Sequence, residues 1–328
     1  MTDITHHDSF HGLPVHTLQP PSPTDPTAPP AAGSVAWRLD CYPYELPFED
    51  VWGRFLDEVD TIGVRALLIG PWWDGDYTSL SPVVDAIVAD AHRFPALRAL
   101  FLGDVESEEC ELSWLQLCDI TPVLEALPLL EEFGVRGCGD GAPGEGSLQL
   151  RPVRHQALRT LRFESGGLPG HVVRAVGASG LPALEHLELW FGSEWYGGDT
   201  TVADLAPVLS GAALPRLRHL GLQNSEIQDE IAAAVASAPV VARLESLSLS
   251  MGTLGDSGAQ ALLDGQPLTH LSVLDLHHHF LSDPFVARIE ELGARSGVQV
   301  RLDQGDRWDD EDDEDDEDDE ARYVAVSE

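Results

Sequence analysis

The sequence predicts an α/β chain wound as a solenoid, with a parallel strand and a helix in each coil, and three observations carry that reading. A leucine triplet at positions one, four and six is stated three times at a constant step of 27 residues: Leu217, Leu220, Leu222; Leu244, Leu247, Leu249; Leu271, Leu274, Leu276. Each triplet is followed by a further apolar residue (Ile227, Leu254, Leu281) that turns the chain back under the core. In the best-written copy, EIQDEIAAAVASAP places Ile227, Ile231, Ala234 and Val235 at helical spacing and ends at a proline.

The triplet has a physical meaning because side chains alternate along a strand. Leu220 and Leu222 point to one side, while His219, Gly221 and Gln223 point to the other and stay wet. One unit cannot bury its own leucines, so the units must stack.

The period and the LxxLxL pattern mark a leucine-rich repeat. The segment LGDSGAQALL resembles the helix entry of ribonuclease-inhibitor-type repeats, which read L-G-D-x-G-A-x-x-L. The phrases LFLGD, RTLRFESGGLP and LGLQNSEIQDEI, together with the acidic tail, resemble a bacterial leucine-rich-repeat family over nearly the whole chain from about residue 34. That resemblance implies a right-handed horseshoe arc with strands on the concave face and helices on the convex face. It implies no assigned activity, and it suggests companionship with small enzyme systems.

In chain order, residues 1–33 hold His6, His7, His11 and His16 and a proline-rich run, which predicts an extended or mobile lead that Phe10 to Val15 could pin to the body. Residues 34–302 form the repeat domain. Val35, Trp37 and Leu39 give a capping strand, and Val51, Phe55 and Val59 lie on one face of the helix after it. Further strands open at Val64, Leu97, Leu130, Leu158 and Leu184, at steps lengthened by insertions such as PWWDGDYTSLS and WFGSEWYGGDT. Helices are predicted from VVDAIVADAHRF, ITPVLEALPLL, LPGHVVRAVGAS and VADLAPVLSG, and Val298, Val300 and Leu302 close the stack. Residues 303–328 form an acidic disordered tail, whose apolar end, Tyr323 to Val326, could add to a strand edge or lie on the apolar zone at Leu68 and Phe101.

The formal charge is −37. Fourteen acidic side chains sit in residues 303–320 against Arg307 alone, so the body itself stays negative and both nucleic acid and anionic membranes are disfavoured partners. Cys41, Cys110, Cys118 and Cys138 form no CxxC pair, which suits reduced thiols in a cytosol. There is no signal-peptide pattern and no apolar run of about 18 residues. A monomeric cytoplasmic protein is expected.

Several fragments imitate chemical motifs. Gly139, Gly141 and Gly144 spell GxGxxG, but a phosphate loop must open a helix, and here Pro143, Asp140 and Glu145 crowd it. Asp256 and Ser257 in LGDSGA fit the repeat register as a helix entry, with either one capping. His277, His278 and His279 alternate in direction, so a metal there would need Asp275, Asp303 or the N-terminal histidines. No motif asks for a cofactor or a catalytic centre.

The outward strand positions form two zones. The first is small and apolar, around Leu68 and Phe101. The second supplies the candidate ligand-binding residues of the concave face: Arg136, Arg162, Glu164, His186, Glu188, Trp190, His219 and Gln223. An aromatic among paired charges has the composition of a recognition hot spot, with Trp190 as anchor and Arg136 and Arg162 as clamps for a carboxylate or phosphate. The function expected is a protein- or peptide-binding scaffold, not an enzyme. The alternative is an accessory subunit that presents an anionic small substrate, using His186 and Glu188 on one face. Should the centre fail, the loops with Trp72, Trp73, Trp195 and Tyr196 are the next place to look.

Overall fold

The computed structural model describes residues 4–18, 29–42, 46–73, 77–138, 146–304 and 322–327. The GxGxxG stretch, most of the proline run and the acidic run lie outside the described residues.

Among the described residues, twelve strands make one sheet in strict sequence order. They are β1 (Ser9–Phe10), β2 (Leu13–Thr17), β3 (Ala36–Leu39), β4 (Ala66–Ile69), β5 (Ala99–Leu102), β6 (Glu132–Arg136), β7 (Thr160–Glu164), β8 (His186–Gly192), β9 (His219–Ser225), β10 (Ser246–Ser248), β11 (Val273–Asp275) and β12 (Gln299–Arg301). Among these strands, β1 and β2 pair antiparallel with each other. From β2 onward neighbouring strands of the described residues pair parallel. The helices between them are α1 (Phe48–Glu58), α2 (Ser81–Asp90), α3 (Thr121–Ala126), α4 (Gly170–Ala178), α5 (Val202–Ser210), α6 (Gln228–Val235), α7 (Asp256–Asp264) and α8 (Asp283–Ser296). This α/β alternation is compatible with a repeat solenoid. Among the described residues, no helix is long and apolar enough to cross a membrane.

The leucine register holds across the sheet. Leu67, Leu100, Phe133, Leu161, Leu187, Leu220, Leu247 and Leu274 are successive cross-strand partners, and all are buried. They share one core with the helix residues Phe55, Val83, Val172, Val208, Ile231 and Leu262. Burying such a side chain is worth about 1.5–3 kcal/mol, which is what makes one unit depend on the next. A second device fixes where each strand begins. One carbonyl per unit accepts two amides of the next: Arg98 O from Glu131 and Glu132, Arg159 O from Glu185 and His186, and Arg218 O from Glu245 and Ser246.

Three details differ from the sequence reading. Residues of the lead, expected to be extended or mobile, form the hairpin β1–β2 and carry the sheet two strands beyond β3. Asp256 and Ser257 do not cap α7. Its N-cap is Gly255, whose amide donates to Asp229 Oδ1 (2.7 Å), so the preceding unit supplies the cap. Asp256 does the same for the next unit, accepting from Ser282 N (2.9 Å) and Oγ (2.8 Å), while Ser257 Oγ donates to Asp229 Oδ2. Finally, the tail end Arg322–Ser327 is docked, but on neither of the surfaces expected for it.

Candidate functional site

The strand residues that alternate with the leucine row form the opposite face of the sheet. One register row runs Leu68, Phe101, Gly134, Arg162, Glu188, Gly221, Ser248, Asp275, Arg301. The row changes character at Gly134. A Cβ there would collide with the Phe101 ring, so the glycine makes room for that ring.

The apolar end is closed. Phe10, Leu13 and Val15 pack on Ala36, Ala66, Leu68, Ala99 and Phe101, and both Leu68 and Phe101 are wholly buried. The cover comes from the hairpin, whose two-residue turn His11–Gly12 has both φ positive (51° and 70°), the geometry that matches strand twist. Carboxylates of the body hold it through the lead's histidines: His7 Nδ1 to Asp104 Oδ1 (2.7 Å), His6 Nε2 to Glu109 Oε1 (3.1 Å) and His11 Nδ1 to Glu132 Oε2 (3.1 Å). Burial pushes Asp104 upward, yet the His7 bond and the Arg38 guanidinium outweigh it and hold the carboxyl at about 2. Burial would lower His6, but its bond to Glu109 raises it. The sequence offered one signal for this cover, a His-Gly pair between Phe10 and Leu13, which marks a two-residue hairpin turn.

Arg136 and Glu164 belong to this closed end and not to an open surface. Both are buried. Arg136 donates through Nε to Glu164 Oε2 (2.9 Å) and through Nη1 to Thr5 O (3.0 Å) and Val105 O (2.5 Å), while its guanidinium lies 5.4 Å from the Phe101 ring centre. The wet position expected for Arg136 is lost because the lead folds over it.

The other candidate residues do come together. Arg162 Nε faces Glu188 Oε2 at 3.4 Å, and its Nη1 lies 3.8 Å from Glu132 Oε1. Glu188 also accepts from His186 Nε2 (3.3 Å) and Trp190 Nε1 (3.1 Å). Burial opposes its ionisation, but these donors win and keep Glu188 below the usual carboxylate range. The His219 ring lies 5.5 Å from that of His186, tilted against it by 32°, and its Nδ1 pairs with Ser246 Oγ (2.7 Å). Burial, then the neighbouring His186, lower the His219 pKa and favour the neutral ring. Gln223 is buried and donates to Ser250 Oγ (2.8 Å). Trp190 is half-buried against the core edge, so its indole offers a partial face.

Beside this cluster a cavity of about 370 Å³ crosses β8 to β12, open to solvent. His186, Glu188, His219, Gln223, Ser246, Ser248, Asp275 and Arg301 line it, and Asp275 pairs with Arg301 (3.3 Å). Glu188, Glu245 and Asp275 outnumber the single lining guanidinium, so the trough is acidic. Sequence reasoning missed Ser246, Ser248, Asp275 and Arg301 as site residues, although three of them stood in the projected outward register.

The histidine triplet does not converge. His277 Nδ1 meets Asp275 Oδ1 (2.8 Å), His278 Nε2 meets Tyr323 O (3.0 Å) and His279 Nε2 meets Leu302 O (3.2 Å). Among the described residues, His6, Glu106 and Glu109 bring ligand atoms within 4.8 Å of one another and could hold a cation. The four cysteines are buried and unbridged, and burial pushes Cys110 and Cys138 to about 12 and Cys118 to about 11, which keeps these three as inert thiols. Of the reserve loop aromatics, Trp72 and Trp73 are buried, whereas Trp195 is 91% exposed.

No family model and no curated protein matches the chain. A crystal structure of a Bacteroides fragilis protein, a structural-genomics target, is similar to it with 28% identity and a TM-score of 0.71, over 80% of this chain and 74% of that one.

Proposed function

We propose that the chain is a leucine-rich-repeat solenoid of ribonuclease-inhibitor type, and that the sheet face opposite the leucine row is the concave face of a right-handed arc that recognises a protein or peptide. One observation carries this reading: the acidic trough across β8 to β12, walled by side chains from five successive strands. Its serines, histidines and carboxylates offer acceptors in one row per strand, which suits a partner rich in basic groups or hydrogen-bond donors. An open trough of side chains already bonded to one another fits recognition better than bond-making.

A second reading rests on the His219–Ser246 bond and the His186–Glu188 pair inside the same trough. There the chain would be an accessory subunit of an enzyme system, holding a small anionic substrate against Arg301 and the two histidines.

Affinity capture with the whole chain tests the first reading. Ser248→Arg fills the trough and weakens its negative charge, whereas Arg288→Ala alters only the helix side. Loss of a captured partner with the first variant and retention with the second is the expected result. A partner still held by Ser248→Arg sinks the proposal.

A further inference from the structure

Asn224, Met251 and His278 stand at the same place in three successive units, 27 residues apart, just where β9, β10 and β11 end. All three have a left-handed backbone, with φ of 56°, 66° and 53°. Among the described residues only one other non-glycine residue, His11 in the hairpin turn, shares that conformation. Such backbone is disfavoured for residues with a side chain, so three in one line call for a reason, and strain of this kind collects where a ligand is held.

Each of the three touches the chain's own C-terminal segment. His278 Nε2 donates to Tyr323 O (3.0 Å), Ala325 N donates to Met251 O (2.8 Å), and Asn224 grips Val326 twice, accepting from its N (2.9 Å) and donating to its O (2.5 Å). The segment thus crosses the strand ends against the order of the units. Its last described residue, Ser327, lies so close to Gly166, beyond β7, that a Cβ at Gly166 would strike its carbonyl. Val324, Ala325 and Val326 are buried, and Arg322 reaches Asp229 Oδ2 at 3.1 Å. The exposed Trp195 sits in the turn packed on Gly167, one residue further along the same line.

Almost all of these bonds go to main-chain atoms, and every peptide carries main-chain atoms. We propose that the ends of β7 and β9 to β11 form a peptide-binding groove. It takes an extended partner segment with a basic residue, an aromatic one and then small apolar ones, and Arg322–Ser327 is the tethered occupant that the partner displaces. The main chain is read by Asn224, Met251 and His278. Selectivity comes from Asp229 at the basic end and from the tight cover over the three small side chains. The groove lies at the strand ends and adjoins the trough through Gln223, whose Nε2 reaches Met251 Sδ (3.9 Å); it rests on observations other than those behind the function proposed above.

The test uses the full chain carrying Val324→Asp and Val326→Asp, with a labelled peptide of the sequence of residues 322–327 as probe. Release of the tail should speed trypsin cleavage after Arg322. The probe should bind this variant at least about tenfold more tightly than the wild-type chain, where the tethered copy competes. Adding Asn224→Ala should abolish binding, and a probe with the two Val→Asp changes should not bind. Unchanged cleavage, no binding to the released chain, or binding indifferent to Asn224→Ala would each overturn the proposal. So would a wild-type dimer that the two tail changes dissociate, because the groove would then belong to the tail of a second copy.

Discussion

Arg136 and Glu164 form a buried ion pair between neighbouring strands, with Nε and Nη2 of the arginine 2.9 and 2.8 Å from Glu164 Oε2. The same guanidinium holds Thr5 O, so one side chain ties the N-terminal lead to the middle of the sheet. Arg136→Ala should therefore cost roughly 3–5 kcal/mol in urea unfolding, because it leaves Glu164 buried without a partner. Replacing both with similar-sized apolar residues should cost far less. If Arg136→Ala costs under about 1 kcal/mol, the pair is a solvated surface contact and the lead is held by other means.

Leu220 and Leu247 face the helices and Leu68 faces the other way, yet all three are buried. The register alone predicts a cheap Leu68→Ala. The structure changes that expectation: all three truncations should cost roughly 2–5 kcal/mol. The cost at Leu68 should shrink when Phe10→Asp lifts the hairpin, while the cost at Leu220 should not. Thermal unfolding of the single and double variants reads this coupling directly.

What the sequence showed and what it hid follow from the range of the forces involved. The row from Leu67 to Leu274 was legible because a strand alternates every two residues and the unit repeats, so local text states a long-range contact. The hairpin was not, since His7–Asp104, His11–Glu132 and Arg136–Thr5 join residues about a hundred positions apart, with no periodicity to announce them. Arg162, Glu188, His186, Trp190, His219 and Gln223 are neighbours in the structure, as their shared register implies. Arg136 and Glu164 were misjudged because burial from the opposite end of the chain leaves no mark beside them. The apolar end of the tail was noticed, but its seat depends on the left-handed backbone at Asn224, which a leucine pattern does not encode.

Asp40 gives a pH signature. Burial, then the charge of Glu109, raise its carboxyl to about 7. A carboxyl raised in the folded state binds its proton more tightly there than when unfolded. The stability it lends is complete below about pH 4 and is lost as the pH climbs through 7. Asp40→Asn removes the titration but keeps an acceptor for Tyr42 N (2.9 Å). The variant should match wild type at pH 4 and exceed it by about 1–3 kcal/mol at pH 8, allowing for partial exposure of the group. Equal stability of the two chains at both pH values would show that Asp40 is solvated.

Arg162 decides the sign of what the trough prefers. It lies between Glu132 and Glu188, at 3.8 and 3.4 Å, and its buried Nε makes no well-formed hydrogen bond, so its charge is balanced but its geometry is slack. A partner with basic groups competes with Arg162 for Glu188. Removing the arginine should then free the carboxylate, and Arg162→Ala should bind the captured partner more tightly, whereas Glu188→Gln should weaken binding by about 1.5–3 kcal/mol, the worth of a hydrogen bond to a charged acceptor. Both effects should fade as salt rises, because the trough is open and its charges are screened over about 10 Å at 0.1 M. An anionic partner reverses the pattern: Arg162→Ala weakens binding and Glu188→Gln strengthens it. Calorimetric titration of the two variants at low and high salt separates the cases. The reversed result would return the trough to the anion-clamp reading, with Arg162 and Arg301 as its cations, since Arg136 is already spent inside the fold.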